Sequence, residues 1–317
     1  MQPNISYIIC ATPRSGSSLL CEALTNTGVA GQPEEYFGVD EQIVWEKICD
    51  VGRTTLGGDQ LEEPHKNELT ISGLHQLVRL YYWDASRVKE YFAAFVKQGT
   101  MPNGVYGVKM MWTHFDRLAS TMRQLPAYKG LSVADCMKAV FPNLHYIRIK
   151  RYDKVRQAVS HAKALQTDIW EVTVDSPLRP VSKPVFSFQL IDWIACKLEA
   201  QEAAWDRYFM KHNIQPFVVI YEDLVSNYEK TALQILKELG IPTEQVTFGP
   251  RRLKQQADEE SEQWVQHYYY LKTHSKWYRW VSHIDRLVVP CLLTCLGSAK
   301  LRAAVTKIYL KLMAWFK

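Results

Sequence analysis

The sequence predicts an α/β fold in which a parallel sheet is wrapped on both faces by helices, and three observations carry that reading. Four apolar runs of strand length are spread along the chain: SYIICA (6–11), GVYGVKMMW (104–112), LHYIRIK (144–150) and PFVVIYEDL (216–224). Segments of helical period separate them, the alternation expected of crossover connections between parallel strands. Across 317 residues, 47% hydrophobic and 22% charged, no Pro/Gly/Ser-rich linker, low-complexity run or repeat divides the chain, so one large α/β body is expected.

Taken in order, 6–11 is a buried first strand, and the opening MQPNISYIICATP lacks the basic start of a signal peptide. A helix follows, with Leu20, Ala23, Leu24 and Thr27 on one face and Gly28 at its end. Residues 40–53 and 70–98 read as helices around a polar loop containing Gly57, Gly58 and Pro64. The run 104–112 is the second strand, its two glycines permitting close backbone approach, and 144–150 is the third. A helix begins near Asp153 with Val155, Val159 and Ala162 facing inward. The segment 167–184, with three prolines, reads as a substrate-side loop. Phe186 to Lys211 is a long helix, 216–224 the fourth strand, and Asn227 to Leu239 a helix ended by Gly240. In such sheets ligands gather at the carboxyl ends of the strands.

The stretch that carries chemistry is TPRSGSSLL (12–20), a strand turning through small residues into a helix. Loop amides and a helix N-terminus there both aim positive partial charge at an anion. Gly16 allows close approach, Ser15, Ser17 and Ser18 offer hydroxyls, and Arg14 adds a planar cationic fork. The loop is P-loop-like but lacks the P-loop lysine, whose slot Ser17 occupies, so a small-molecule kinase is the weaker enzyme reading. A second constellation, KRYDKVRQAVSHAKALQT (150–167), places Arg151 at a strand end and Ser160 two turns into the next helix, a spacing able to hold a second phosphate.

Charge and cysteine usage narrow the class. The net charge of +5 is concentrated in residues 271–317, where nine Lys/Arg face one acid, Asp285, leaving −3 on residues 1–270. A general nucleic-acid surface is therefore not expected. Seven scattered cysteines with no CxxC pair fit a reduced, cytoplasmic chain rather than a disulfide framework or a zinc site.

With LKQQADEESEQWVQHYY (253–269), TPRSGSSLLCEALTNTGVAGQPEEYF and PNGVYGVKMMW, these segments resemble the bacterial trehalose 2-sulfotransferase family. The resemblance spans residues 12 to about 270, which divides the chain into a sulfotransferase domain (1–270) and a basic helical tail (271–317). It implies the sulfotransferase fold, a homodimer, and transfer of a sulfuryl group from 3′-phosphoadenosine 5′-phosphosulfate to a carbohydrate or glycolipid hydroxyl, without a metal. It further implies that Arg14, Ser15, Gly16, Ser17 and Ser18 surround the 5′-phosphosulfate and that Arg151 and Ser160 hold the 3′-phosphate. Tyr221 would contact adenine, and 251–257 would close over the nucleotide with Arg252 or Lys254 near its phosphates. Glu35, in GQPEEYF, matches the position of the general base; Tyr36 and Phe37 would partly desolvate it and raise its pKa. Glu34, His114 and His161 are alternative bases, and Lys109 would stabilise the leaving phosphate or bind the acceptor. Gln32 stands where trehalose-specific relatives carry glutamate, and 38–69 does not match, so the implied acceptor is the carbohydrate class rather than trehalose. A non-catalytic nucleotide-binding protein at a membrane is the rival from another class.

In the tail, KLRAAVTKIYLKLMAWFK (300–317) places Leu301, Val305, Ile308, Leu312 and Phe316 on one helical face flanked by Arg302, Lys307, Lys311 and Lys317. Such a helix suits the anionic inner surface of a membrane, or packs on the body or a partner. LVVPCLLTCLG (287–297) is too short to span a bilayer and contains Pro290.

Overall fold

A computed structural model of the chain describes residues 3–35, 96–175 except 98 and 124, and 183–294 except 245, 255 and 257. The helices expected at 40–53 and 70–98 fall outside these residues, apart from helical Val96 and Lys97; so do Tyr36, Phe37, the loop 38–69 and the amphipathic segment 300–317. In chain order the elements are β1 (Ile5–Ala11), α1 (Ser17–Thr25), β2 (Val105–Met111), α2 (Trp112–Met122), α3 (Val133–Val140), β3 (Leu144–Lys150), α4 (Lys154–Thr167), α5 (Phe188–Lys211), β4 (Phe217–Ile220), α6 (Tyr221–Ser226), α7 (Tyr228–Glu238), α8 (Glu259–His274) and α9 (Lys276–Thr294). They fall into two compact units, residues 1–150 with 208–251, and residues 151–207 with 252–317.

The first unit is built on a four-stranded parallel sheet in the order β2-β1-β3-β4. Tyr7 through Ala11 are wholly buried, as a central parallel strand covered on both faces must be. β2 and β4 stop before their apolar runs do: Trp112 opens α2 and Tyr221 opens α6. For α6 the cause is legible, because Glu222 and Asp223 sit in its first turn, where acidic side chains favour a helix over continued sheet. Helices α1 and α7 pack together, as do α2 and α3.

One feature of β2 prepares the site. Among the described strands β2 lies at one end of the order, and in register with Tyr7 of β1 it carries Gly107. A Cβ at Gly107 would lie 2.4 Å from the Tyr7 hydroxyl, so the missing side chain makes room for the tyrosine ring. That hydroxyl donates to the Ala30 carbonyl at 2.7 Å and so anchors the chain that follows α1. Gly31, with φ of +87°, turns this strap along β2. The strap then pairs with the strand edge as a parallel bridge from Glu34 to Val108, the Lys109 amide donating to the Glu34 carbonyl at 2.9 Å.

The second unit is helical, with a core of Val155, Val159, Phe188, Ile191, Leu198, Trp264 and Tyr268. Asp153 caps α4 by accepting from the Arg156 amide at 2.8 Å. Arg156 forks onto Glu262 of α8 with two contacts of 2.7 Å. Asp192, 1% exposed, accepts from Tyr268, from Lys272 at 3.2 Å and from Ser282 of α9 at 2.7 Å. With Val281 fully buried, that bond ties the start of α9 into the unit. Residue 270 lies inside α8, and among the described residues no helix is long and apolar enough to cross a membrane.

The anchoring role of Gly107 is open to test. Gly107→Ala should destabilise the protein by about 1–3 kcal/mol in denaturant unfolding, because the new methyl has to displace the buried Tyr7 ring. A change within a few tenths of a kcal/mol would mean that the ring is not confined there.

Candidate active site

The loop 12–16 leaves the sheet at the carboxyl end of β1. Arg14 adopts φ of +62° and Gly16 of +89°, two left-handed positions that fold residues 12–16 tightly, with the Ser15 amide donating to the Thr12 carbonyl at 3.2 Å. Gly16 is the N-cap of α1 and supplies no side-chain cap, so the opening amides of that helix have no acceptor from the cap residue. The Ser15 hydroxyl is wholly buried and has no hydrogen-bond partner among the described residues. Buried hydroxyls are normally bonded, and an oxyanion in the loop would accept from this one and from the helix amides together. A Cβ at Gly16 would lie 2.2 Å from the Tyr221 ring, so only glycine lets the ring lie against the loop.

At the carboxyl end of β2 the strap delivers Glu35 to an ammonium and an imidazole. Lys109 Nζ lies 2.9 Å from Glu35 Oε2, and His114 Nδ1, in the first turn of α2, lies 3.1 Å from Oε1. The same Lys109 ammonium reaches Ser18 Oγ in the first turn of α1 at 3.4 Å. Lys109 and His114 are buried; the Lys109 ammonium is bonded to these oxygens, whereas His114 Nδ1 lies near the carboxylate without a well-aligned hydrogen bond. Burial pushes the Glu35 pKa up, but the His114 side chain and the Lys109 charge outweigh it and hold the carboxyl at about 2. This corrects the expectation of a raised pKa. The apolar neighbours in sequence suggested desolvation, whereas the groups that set the value come from β2 and α2.

Gln32 and Glu34 are exposed on the strap; Glu34 is committed through its backbone, and its neighbour Glu35 faces the cluster. Thus Ser18, Lys109, Glu35 and His114 are brought together, and Gly16 and Tyr221 meet beside them. Arg14 and Ser17 complete the loop, half-buried and buried respectively.

The remaining candidates belong to the second unit. Arg151, directly after β3, is half-buried and its carbonyl accepts from Lys154; Ser160 is half-buried on α4. Leu253 forms an antiparallel bridge with Thr173, the Val174 amide donates to the Arg252 carbonyl at 3.0 Å, and the Lys254 amide to the Val172 carbonyl at 2.8 Å. The segment expected to close over a ligand is thus strapped to the proline-containing loop. Exposed Arg252 pairs with Asp175 at 2.7 Å, a partner that no motif announced. His161 is buried with its ring edge-on to Trp170 at 5.9 Å. Sequence reasoning also passed over Tyr7, whose role showed only as a tyrosine in an otherwise aliphatic strand.

Comparison with known proteins adds the following. The family model described as Stf0 sulphotransferase matches residues 6–270. A trehalose 2-sulfotransferase of Mycolicibacterium smegmatis is 31% identical over 272 residues, which cover 83% of this chain and 94% of the relative. A trehalose 2-sulfotransferase of Mycobacterium tuberculosis is 28% identical over 281 residues, covering 83% and 93%. The sulfotransferase domain from the Synechococcus PCC 7002 olefin synthase overlaps with a TM-score of 0.41 at 16% identity, over 92% of this chain and 95% of that one, a likeness too distant to carry an argument.

The cluster makes a prediction about pH. A carboxylate held below its ordinary value of 4.5 stabilises the fold fully above that value, and the stabilisation is lost as pH falls toward about 2. Unfolding measured at successive pH values should therefore show the gap between wild type and Glu35→Gln shrinking as pH drops below the ordinary value. A gap that stays constant there would contradict the ion-paired carboxylate.

Proposed function

Because the chain belongs to the Stf0 sulphotransferase family and is accordingly an enzyme, a transferase, we propose that it moves a sulfuryl group from 3′-phosphoadenosine 5′-phosphosulfate to a carbohydrate or glycolipid hydroxyl. The observation that carries the proposal is Lys109, one buried ammonium in contact with both the anion loop, through Ser18, and the carboxylate of Glu35. The charge-binding half of the reaction and its acid–base half thereby share a residue.

The residues fit the donor. Loop 14–18 offers amides, the buried Ser15 hydroxyl and the Arg14 guanidinium to the 5′-phosphosulfate, and the Tyr221 ring against Gly16 offers a face to the adenine. Arg151 and Ser160 are assigned the 3′-phosphate, and Arg252 with Lys254 the closing segment. In the reaction the acceptor oxygen bonds to sulfur as the bond from sulfur to the phosphate oxygen breaks, and the electron pair leaves with adenosine 3′,5′-bisphosphate. Such a displacement asks the protein for alignment and charge stabilisation, which Arg14, Lys109 and the helix amides supply. Glu35 takes the hydroxyl proton, and Gln32, exposed on the same strap, faces the acceptor side. Both roles of the strap follow from its pairing with β2, which fixes Glu35 beside the loop.

The acceptor class is drawn from the relatives' trehalose-directed names, and with Gln32 at the position where the resemblance expects glutamate the acceptor is stated as a carbohydrate-type hydroxyl and not as trehalose itself. A homodimer and attachment of residues 300–317 to an anionic membrane surface are carried as part of the proposal, supported by the family resemblance and by the charge of the tail respectively.

Two measurements test the reading. Adenosine 3′,5′-bisphosphate should bind at least about tenfold tighter than AMP by calorimetry, as expected if one further charge-assisted contact set engages the 3′-phosphate. Equal affinities would remove the role of Arg151 and Ser160 and favour a kinase. Glu35→Gln should lower kcat by roughly 10²-fold or more with labelled donor; wild-type turnover in that variant would pass the proton to Glu34 or to a histidine.

A further inference from the structure

We infer that Lys109 is a donor-responsive gate on Glu35: its ammonium neutralises the carboxylate in the free enzyme and turns to the anion loop when the donor binds, releasing Glu35 to act as a base. The inference rests on the reading of loop 14–18 as the donor site, and it goes beyond that reading in making the two half-sites compete for one cation.

The geometry sets the competition. Lys109 Nζ is 2.9 Å from Glu35 Oε2 and 3.4 Å from Ser18 Oγ, so the ion pair holds it closely and the loop holds it loosely. Its stem rises from a strand whose neighbours Val108 and Met110 are fully buried, so the backbone is fixed and only side-chain rotation is available to the head group. Lys109 itself is 9% exposed, too little for water to replace a protein partner at low cost. A polyanion seated on residues 14–18 therefore makes a second and stronger claim on the same ammonium, through the Ser18 side on which a contact already exists.

Once the head group turns, the set of titratable groups facing Glu35 changes. Among the described residues these are Lys109 from β2 and His114 from α2, with Glu34 exposed on the strap itself. Glu35 then keeps the His114 imidazole at 3.1 Å and loses the ammonium. Its affinity for a proton rises accordingly, since a carboxylate paired with both partners is held at about 2. The balance of the step is then complete. The hydroxyl proton goes to Glu35, the new bond forms between the acceptor oxygen and sulfur, and the electron pair of the broken bond goes to the phosphate oxygen, beside which Lys109 now stands. Glu35 is thus a weak base until the donor is in place, which makes donor binding the first productive event.

The gate has a signature in binding, independent of turnover. If donor binding has to separate Lys109 from Glu35, removing the charge of Glu35 should make nucleotide binding tighter. Calorimetry with adenosine 3′,5′-bisphosphate on wild type, Glu35→Gln, Lys109→Met and the double variant forms a closed cycle. The expected result is roughly three- to tenfold tighter binding to Glu35→Gln, the size of one partly buried ion pair. In the Lys109→Met background the same substitution should change affinity less than about twofold. In the unaltered enzyme, the carbon-13 carboxyl resonance of Glu35 should titrate at higher pH with the nucleotide bound than without it, an arm that needs no variant to fold. Glu35→Gln binding no tighter than wild type, tightening that persists undiminished without Lys109, or a carboxyl titration that ignores the nucleotide would each overturn the gate. Failure of the unaltered enzyme to bind the nucleotide at all would instead remove the donor site on which the gate rests.

Discussion

A buried ammonium has to be compensated, and in this enzyme that constraint organises the site. Lys109 lies near the end of β2 in register with Ile9 of β1, one strand away from the loop that leaves β1 at Ala11. Taking its charge out of water costs several kcal/mol unless an opposite charge and hydrogen-bond acceptors are brought to it. The strap brings the carboxylate of Glu35, and the first turn of α1 brings the Ser18 hydroxyl. The strap in turn depends on Tyr7, which reaches Ala30 only because β2 carries glycine at position 107. A tyrosine, a glycine and a lysine thus fix the distance between the loop after β1 and a carboxylate.

The sheet was legible in the sequence because parallel strands buried on both faces are written as nearly unbroken apolar runs, and the run 144–150 is β3 residue for residue. The helix on Val155, Val159 and Ala162 was legible for a related reason: Asp153 announces its start and the stripe its buried face. Strand ends were read too long at Trp112 and Tyr221, where an aromatic residue continues the apolar run while the backbone has already turned into a helix. The helices α2 and α3 went unread although α3 carries both signals, the Ser132 cap before it and Pro142 just after it; at 11 and 8 residues they are short beside the longer stripes on either side.

At the site, residue types could be read but their electrostatics could not. Glu35 is followed in sequence by two aromatic residues, and local reasoning took these as its environment. The groups that lower its pKa are Lys109 and His114, more than seventy positions away and brought to it by the pairing of Glu34 with Val108. A pKa belongs to the folded neighbourhood, and a register between two distant segments reverses the direction that adjacent residues suggest. The second unit makes the same point about charge. Arg156 with Glu262 and Lys163 with Asp258 are pairs across wide sequence gaps that link α4 to α8 and its cap, while Arg252 with Asp175 is a solvated pair between two loops.

The central claim is that this constellation transfers a sulfuryl group to a carbohydrate-type hydroxyl. The most direct measurement incubates the enzyme with isotopically labelled 3′-phosphoadenosine 5′-phosphosulfate and an extract of carbohydrates and glycolipids, followed by mass analysis of the products. The account predicts a labelled carbohydrate species heavier by one SO₃, formed together with adenosine 3′,5′-bisphosphate. Donor that is consumed only by hydrolysis, or label that appears solely on non-carbohydrate hydroxyls, would contradict it.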